Sequence, residues 1–302
     1  MIDKRDNGKE MVSAYEIVFS EGRAKGKEAI LVQVGELEVL LNKSNALDVY
    51  WVRYKGNNIS FLSKNGLNSS EGSFVNRYEG GFLYTCGLDN VSSCDPSKPF
   101  HGSLHYQPVE NVVKLVFEDR VEIFGEVRQV AFFGENLSLH RHYVIKKDSI
   151  VLKDTVYNHG ASASNYVLLY HSNFGYPFLE EGVKITLPFK RSEGLSPYAS
   201  SRIDRQLEIT YPIDGGEEET FYNEMEKGEI SVINKRLDTK VSISYDTASF
   251  PWLIEWKSMI SGDYALGFEA STTRFDRFEM RPLKPGERKD HSIEYRFGDA
   301  RE

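Results

Sequence analysis

Apolar and polar residues alternate with a period of two along most of the chain. ILVQVGELEVLL (30–41) alternates and then runs apolar, and VVKLVFEDRVEIFGEVRQVAFF (112–133) alternates over three stretches. SIVLKDTVYNH (149–159), VKITLPF (183–189), LEITYPI (207–213), EISVINK (229–235) and VSISYD (241–246) keep the same rhythm. Successive side chains on a strand point to opposite faces, so this pattern predicts strands with one buried and one wet face. Turn-forming sequences separate them: Lys64-Asn65-Gly66, Gly80-Gly81, Asn158-His159-Gly160, Asp214-Gly215-Gly216 and Lys284-Pro285-Gly286. No helical stripe exceeds about two turns. Many short strands with few helices predict an all-β sandwich or barrel. The absence of a fixed-period repeat argues against a propeller. The polar stretches 190–206 and 214–227 read as loops, but they lack the Pro and Ser content of a linker. The 302 residues therefore read as one β-sandwich domain, 1–302, with the polar segment MIDKRDNGKE (1–10) frayed.

Charge and composition narrow the function. There are 37 Lys and Arg against 45 Asp and Glu, a formal charge of −8. Nucleic-acid affinity rests on clustered positive charge, so a nucleic-acid partner is not expected. No run approaches the roughly 18 apolar residues of a spanning helix, so no membrane partner is expected either. The first 20 residues lack the apolar core of a signal peptide. Only Cys86 and Cys94 are present, which do not make a disulfide framework and read as reduced thiols of a cytoplasmic protein. Aromatic residues make up 13% of the chain, a richness that suits half-buried strands and the C–H faces of sugars.

Four segments carry candidate chemistry. In Pro99-Phe100-His101-Gly102, the glycine removes bulk beside the imidazole of His101. Leu169-Tyr170-His171-Ser172-Asn173-Phe174-Gly175-Tyr176-Pro177 brings His171, Asn173 and aromatic rings together where a strand meets a loop. Rings, amide and imidazole are the groups that meet a polyol. In Tyr264–Ser271, alternation puts Ala265, Gly267 and Glu269 on one face, and the small neighbours leave a hollow beside the carboxylate. Gly134-x5-His140-Arg141-His142 matches half of a cupin metal motif, but the carboxylate required a few residues later is missing. No metal is assigned there. No GxSxG, Walker A, GxGxxG or HExxH sequence occurs.

Taken in order, several segments resemble the aldose 1-epimerase (galactose mutarotase-like) superfamily, and within it a branch of DUF4432 type, a domain of unknown function. They are Leu47-Asp48-Val49, Tyr54-Lys55-Gly56, the run Glu79 to Asp89, His101-Gly102, the run Leu169 to Pro177, Trp256-Lys257 and the run Gly267 to Thr272. The resemblance spans residues 36 to 296. It implies a β-supersandwich of two large, mostly antiparallel sheets. It also implies two catalytic histidines at His101 and His171 and a catalytic carboxylate at Glu269. Asn76 and Arg77 resemble the superfamily's Asn-Arg substrate contact. Asn173 and Lys257 complete the implied binding set. The better-known mutarotases carry an Asn-His-Ser-Tyr-Phe-Asn-Leu type segment where this chain has Tyr170-His171-Ser172-Asn173-Phe174-Gly175-Tyr176. They also place an extra acidic residue on the sugar hydroxyls, and it has no counterpart here. The sugar, free or phosphorylated, is therefore not carried over. Arg202 and Arg205 are the one near pair of arginines that a phosphate would meet.

The implied activity is anomer interconversion without a cofactor, since neither electrons nor groups are transferred. Glu269, with an ordinary carboxylate pKa of about 4.3, would be the ionised base. His171, near 6.5, would be the partly protonated acid. His101 would hold the ring oxygen or a neighbouring hydroxyl. A non-catalytic carbohydrate-binding or sensing protein on the same fold is the alternative. A metal-dependent isomerase using His140 and His142, and a lyase with a Tyr or His base, are further readings. Edge strands of such a fold pair readily, so the chain is expected as a monomer or a homodimer.

Overall fold

The computed structural model describes residues 11–69 and 71–301. The segment expected to fray, 1–10, lies outside the described residues. Almost every element is a strand, as the alternation predicted. Five strands form one antiparallel sheet in chain order, Val12–Val18, Glu28–Val34, Leu37–Asn42, Asp48–Tyr54 and Asn57–Asn58. The run 30–41 thus contains a hairpin, turning at Gly35, whose φ of +60° lies in the left-handed region that favours glycine. The run 112–133 resolves into two strands, Val109–Val116 and Arg120–Val130, rather than three.

An eight-stranded sheet runs Lys184–Thr186, Glu229–Asn234, Thr239–Tyr245, Arg288–Gly298, Ser149–Asn158, Asn136–Lys146, Arg120–Val130, Val109–Val116. A seven-stranded sheet runs Phe189–Gly194, Glu219–Met225, Trp252–Ile260, Asp263–Ser271, Ser164–Gly175, Arg281–Leu283, with Leu83–Leu88 paired on the other edge of Ser164–Gly175. The predicted strand at 207–213 is not one. That stretch is an extended connection that joins the sheet by an isolated bridge from Ile213 to Ile260 and by the side chains of Lys257 and Tyr264, which donate to the carbonyls of Glu208 and Thr210. Its alternation reflects packing of Ile209 and Leu207 onto the core, with Tyr211 left exposed. The helices among the described residues are short, Phe74–Arg77 and Pro197–Ser201.

One contiguous apolar cluster joins all three sheets, from Val32 and Val39 through Ile123 and Leu152 to Phe174 and Phe268. Polar groups also cross between the sheets, from the seven-stranded to the eight-stranded sheet through Tyr170 and from the eight-stranded to the five-stranded sheet through Arg141. Tyr170 donates to Asp154 Oδ2 at 2.8 Å, and Arg141 reaches Asp154 Oδ2 at 3.0 Å and Asp48 Oδ1 at 2.6 Å. Tyr170 and Phe268 therefore face the inside of the sandwich. Strand alternation then puts His171, Gly267 and Glu269 on the outer face of the seven-stranded sheet.

Candidate active site

His171 and Glu269 stand directly opposite each other on the neighbouring antiparallel strands Ser164–Gly175 and Asp263–Ser271. Direct opposition puts both side chains on one face, with His171 Nε2 3.3 Å from Glu269 Oε1. Both are buried, and Glu269 Oε2 is left without a partner. The hollow expected beside Glu269 is real but already filled. A Cβ at Gly267 would sit 2.7 Å from His171 Cε1, so the missing side chain makes room for the imidazole.

His101 arrives from a loop folded around Asn90, whose amide donates to the carbonyls of Ser92, Asp95 and Pro99. His101 has a φ of +63°, and Gly102 follows at +83°, where a Cβ would sit 2.5 Å from the carbonyl oxygens of Asn90 and Gly87. Gly102 thus serves the tight turn, while the His101 imidazole is itself buried. The Ser92 N–H donates to His101 Nδ1 at 3.1 Å, which leaves Nε2 to carry the ring proton. The rings of His101 and His171 meet edge to face at 5.7 Å. All three residues implied by the resemblance as the catalytic set therefore lie in one cluster.

Aromatic rings wall it. Tyr84 is opposite His171 on the strand Leu83–Leu88. Trp256 packs edge-on to His171 at 5.7 Å, and Phe61, Tyr78 and Phe74 continue the wall to His101. Behind Tyr84, His105 stacks at 3.7 Å between the ring and two carboxylates, Asp48 at 2.7 Å and Glu79 at 3.6 Å. Burial opposes charging His105, but hydrogen bonds to these carboxylates outweigh it and raise its pKa.

The protonation states differ from those expected of exposed groups. Burial pushes the Glu269 carboxyl up to about 8, with the Glu218 carboxylate adding to the rise. Burial pulls His171 down to about 3, against a smaller opposing pull from the Asn173 amide. His101 lies well below its ordinary value through burial and the neighbouring His171 and His105. At neutral pH the pair therefore holds its one proton on Glu269, not on His171. Ordinary solution values mislead here because the wall of rings excludes water.

The predicted binding residues fare unevenly. Asn173 is on the right face, but its amide N–H groups are spent on the carbonyls of Gly81 and His171. Its visible role is to brace the strand. Arg77 and Asn76 lie on the short helix Phe74–Arg77 beside the ring wall; Arg77 stacks over Tyr106 at 3.7 Å, and Asn76 is exposed. Lys257 is not at the cluster. Its neighbour Trp256 faces His171, so alternation turns Lys257 to the inside. There its ammonium group meets the carbonyls of Gln206 at 2.8 Å and Glu208 at 3.2 Å and the Glu219 carboxylate at 3.1 Å. Trp256 stands out in the sequence only as part of the Trp256-Lys257 pair, without a role, and Tyr84 and Glu218 do not stand out; the strand register that sets Trp256 opposite Gly267 comes from the structure.

Arg202 and Arg205 are each engaged by a carboxylate, Glu219 at 2.7 Å and Glu208 at 2.8 Å. His140 and His142 lie on the eight-stranded sheet, away from His171. His142 is taken by Glu122 at 3.0 Å and stacks on Phe124, so the two do not converge. A cavity of about 720 Å³ also lies against this sheet, lined in part by Glu126, His140 and Lys153. The His171–Glu269 cluster is instead nearly closed to solvent.

Comparison with known proteins identifies the family. The model of a domain of unknown function, DUF4432, matches residues 24–297. The chain belongs to this DUF4432 family. Solved structures share its fold. A Klebsiella pneumoniae protein titled "putative aldose 1-epimerase" superposes with a TM-score of 0.86 at 22% identity, over 95% of this chain and 83% of that one. A galactose mutarotase-like protein from Clostridium acetobutylicum gives 0.72 at 13% identity, over 95% and 99%. A galactose mutarotase related enzyme from Lactobacillus acidophilus gives 0.62 at 9% identity, over 90% and 98%. These likenesses place the DUF4432 chain in the galactose mutarotase-like fold. No curated protein matches it in sequence. No helix among the described residues is long and apolar enough to cross a membrane.

Proposed function

We propose that this protein interconverts the α and β anomers of a sugar by acid–base ring opening and closure. The observation that carries the reading is the cross-strand pair of His171 and Glu269, 3.3 Å apart on one buried face. The two oxygens that exchange protons in a hemiacetal share a single carbon, so an adjacent acid and base serve both.

The pair needs only one proton. Either of its groups takes a proton from the C1 hydroxyl while the other gives one to the ring oxygen. The C1–ring oxygen bond breaks as the carbonyl forms, the C1–C2 bond rotates, and the ring recloses on the opposite face with the proton transfers reversed. In the resting state, with the proton on Glu269, neutral His171 takes the C1 hydroxyl proton while the Glu269 carboxyl gives its own to the ring oxygen. Moving that proton to His171 gives the carboxylate and imidazolium in which Glu269 is the base. Both states carry the same net charge, so a dry site accommodates either. His101, neutral with a proton on Nε2, donates a hydrogen bond to a substrate oxygen without competing for the catalytic proton. Each positioned acid or base contributes about 10²–10⁴-fold. Trp256 and Tyr84 offer ring faces to the sugar's C–H surface.

A neutral sugar fits better than a phosphorylated one, because Arg202 and Arg205 are already paired with carboxylates and Arg77 is stacked on Tyr106. Exchange NMR on a panel of free aldoses, ketoses and their phosphates tests the proposal. Faster anomer exchange for one sugar, lost in Glu269→Ala, is the expected result. Line broadening on binding without any acceleration would replace it with the non-catalytic sugar-binding reading.

A further inference from the structure

A second constellation lies on the outer face of the eight-stranded sheet, apart from the His171–Glu269 cluster. Glu126 and His140 are directly opposite each other on the strands Arg120–Val130 and Asn136–Lys146. His159 follows the end of Ser149–Asn158, and its backbone N–H is tied to the carbonyl of Asn136 at 2.9 Å. One ligand atom from each of the three lies within 4.8 Å of the others. We infer that Glu126, His140 and His159 form a binding site for a divalent transition-metal ion, of which Zn²⁺ is the representative probe.

Three observations support this. The first is convergence. Ser138 Oγ, fully buried beneath the pair, meets His140 Nε2 at 2.9 Å and His159 Nε2 at 2.7 Å. A hydroxyl donates only one hydrogen, so Ser138 donates to one imidazole and accepts the Nε2–H of the other. Both rings are thereby aimed at one point before any ion arrives. The second is support from outside the ligand set. Asn111 Nδ2 donates to Glu126 Oε2 at 3.3 Å and leaves Oε1 available, while Tyr157 packs edge-on against the His159 ring at 4.0 Å. Such outer partners fix the orientation of ligands in metal sites. The third is access, because Glu126 and His140 line the large cleft on this face and solvent can complete the coordination.

The donor chemistry selects the ion. Two imidazoles and one carboxylate suit Zn²⁺, Co²⁺, Ni²⁺ or Fe²⁺ and leave open positions, whereas Ca²⁺ and Mg²⁺ prefer all-oxygen sets. An ion at the centre of a triangle of 4.8 Å sides would lie about 2.8 Å from each corner. Bond lengths of about 2.0–2.2 Å then require each side chain to close by roughly 0.7 Å, within reach of rotation about side-chain torsions. The guanidinium groups of Arg128, held by Asn136 Oδ1 at 3.1 Å, and of Arg288, stacked over Tyr157, are nearby cations that oppose binding, and the Glu126 carboxylate offsets them.

The test is isothermal titration of the untagged, chelator-treated full chain with ZnCl2. One equivalent should bind with a dissociation constant below about 10 µM, and Glu126→Gln, His140→Ala and His159→Ala should each weaken binding at least about tenfold. His142→Ala, whose ring belongs to Glu122, should bind as the parent does. The metal-free thermal midpoints of the variants should match the parent, so that lost binding is separated from lost folding. The inference is overturned by no stoichiometric binding at about 100 µM Zn²⁺, or by binding that survives in the His140→Ala/His159→Ala double variant.

Discussion

Glu269 and His171 are ordinary residue types whose proton affinities have crossed, the carboxyl rising to about 8 and the imidazole falling to about 3. If the proposed reaction needs the one proton that the pair shares, kcat/KM should be level from about pH 5 to 7. It should then fall about tenfold per unit as pH rises through about 8, where Glu269 loses that proton. A pH–rate profile of anomer exchange measures this, and a fall beginning near pH 5 instead would contradict it. The same shift affects folding. The carboxyl titrates near 4.5 when unfolded and near 8 when folded. Its contribution is fully favourable below about pH 4.5 and is lost as pH rises through about 8. Glu269→Gln removes that loss, so its thermal midpoint relative to the parent should improve from about pH 5 to about pH 9. An equal difference at both pH values would show that Glu269 is not protonated in the folded state. Ordinary pKa values read from residue type failed here because type carries no information about burial.

At the scale of the element, alternation decides which side chains reach the cluster. Trp256 and Lys257 are adjacent on the strand Trp252–Ile260, yet one meets His171 and the other the carbonyls of Gln206 and Glu208. Trp256→Ala should weaken sugar binding by about 0.5–1.5 kcal/mol in an NMR titration while leaving the fold intact. Lys257→Ala should cost about 1–3 kcal/mol in urea unfolding, because the buried Glu219 carboxylate loses its partner at Oε2 while Arg202 keeps Oε1. Reversed outcomes would reverse the face assignment. Gly267 supplies a third test. Its alanine variant would place a Cβ 2.7 Å from His171 Cε1. The imidazole must then move, and anomer exchange should fall about 10²-fold with modest loss of stability. Parent-like exchange in Gly267→Ala would mean that the His171 position is not critical. Most strands were legible from their period of two. The stretch 207–213 was not, because an extended connection lying on a core shows the same alternation without pairing.

At the scale of the molecule, a buried charge network joins the eight-stranded sheet to the five-stranded one, and Tyr170 ties it to the seven-stranded sheet. Arg141 is fully buried between Asp48 and Asp154, and Asp48 also binds His105, which stacks behind Tyr84 in the site wall. The network therefore links the sandwich interior to the back of the site. Arg141→Leu would leave two buried carboxylates without their cation and should destabilise the fold by about 3–5 kcal/mol in urea unfolding. A loss under about 1 kcal/mol would show that the carboxylates are protonated or hydrated instead. Nothing in the local sequence around Arg141 signals this role, since its partners lie 93 and 13 positions away.

The sequence by itself determined the strand-rich architecture, since period-two alternation is a local property of adjacent side chains. The ordered resemblance of short segments was enough to indicate the mutarotase-like fold and the three residues that gather at the cluster. Only the tertiary structure decided that Gly267 makes room for His171, that Lys257 turns inward, and that Glu126, His140 and His159 converge. Each of these depends on register between strands distant in sequence and on exclusion of water. The proton's place on Glu269 follows from the same cause, because desolvation is set by everything packed around a group and not by its neighbours in the chain.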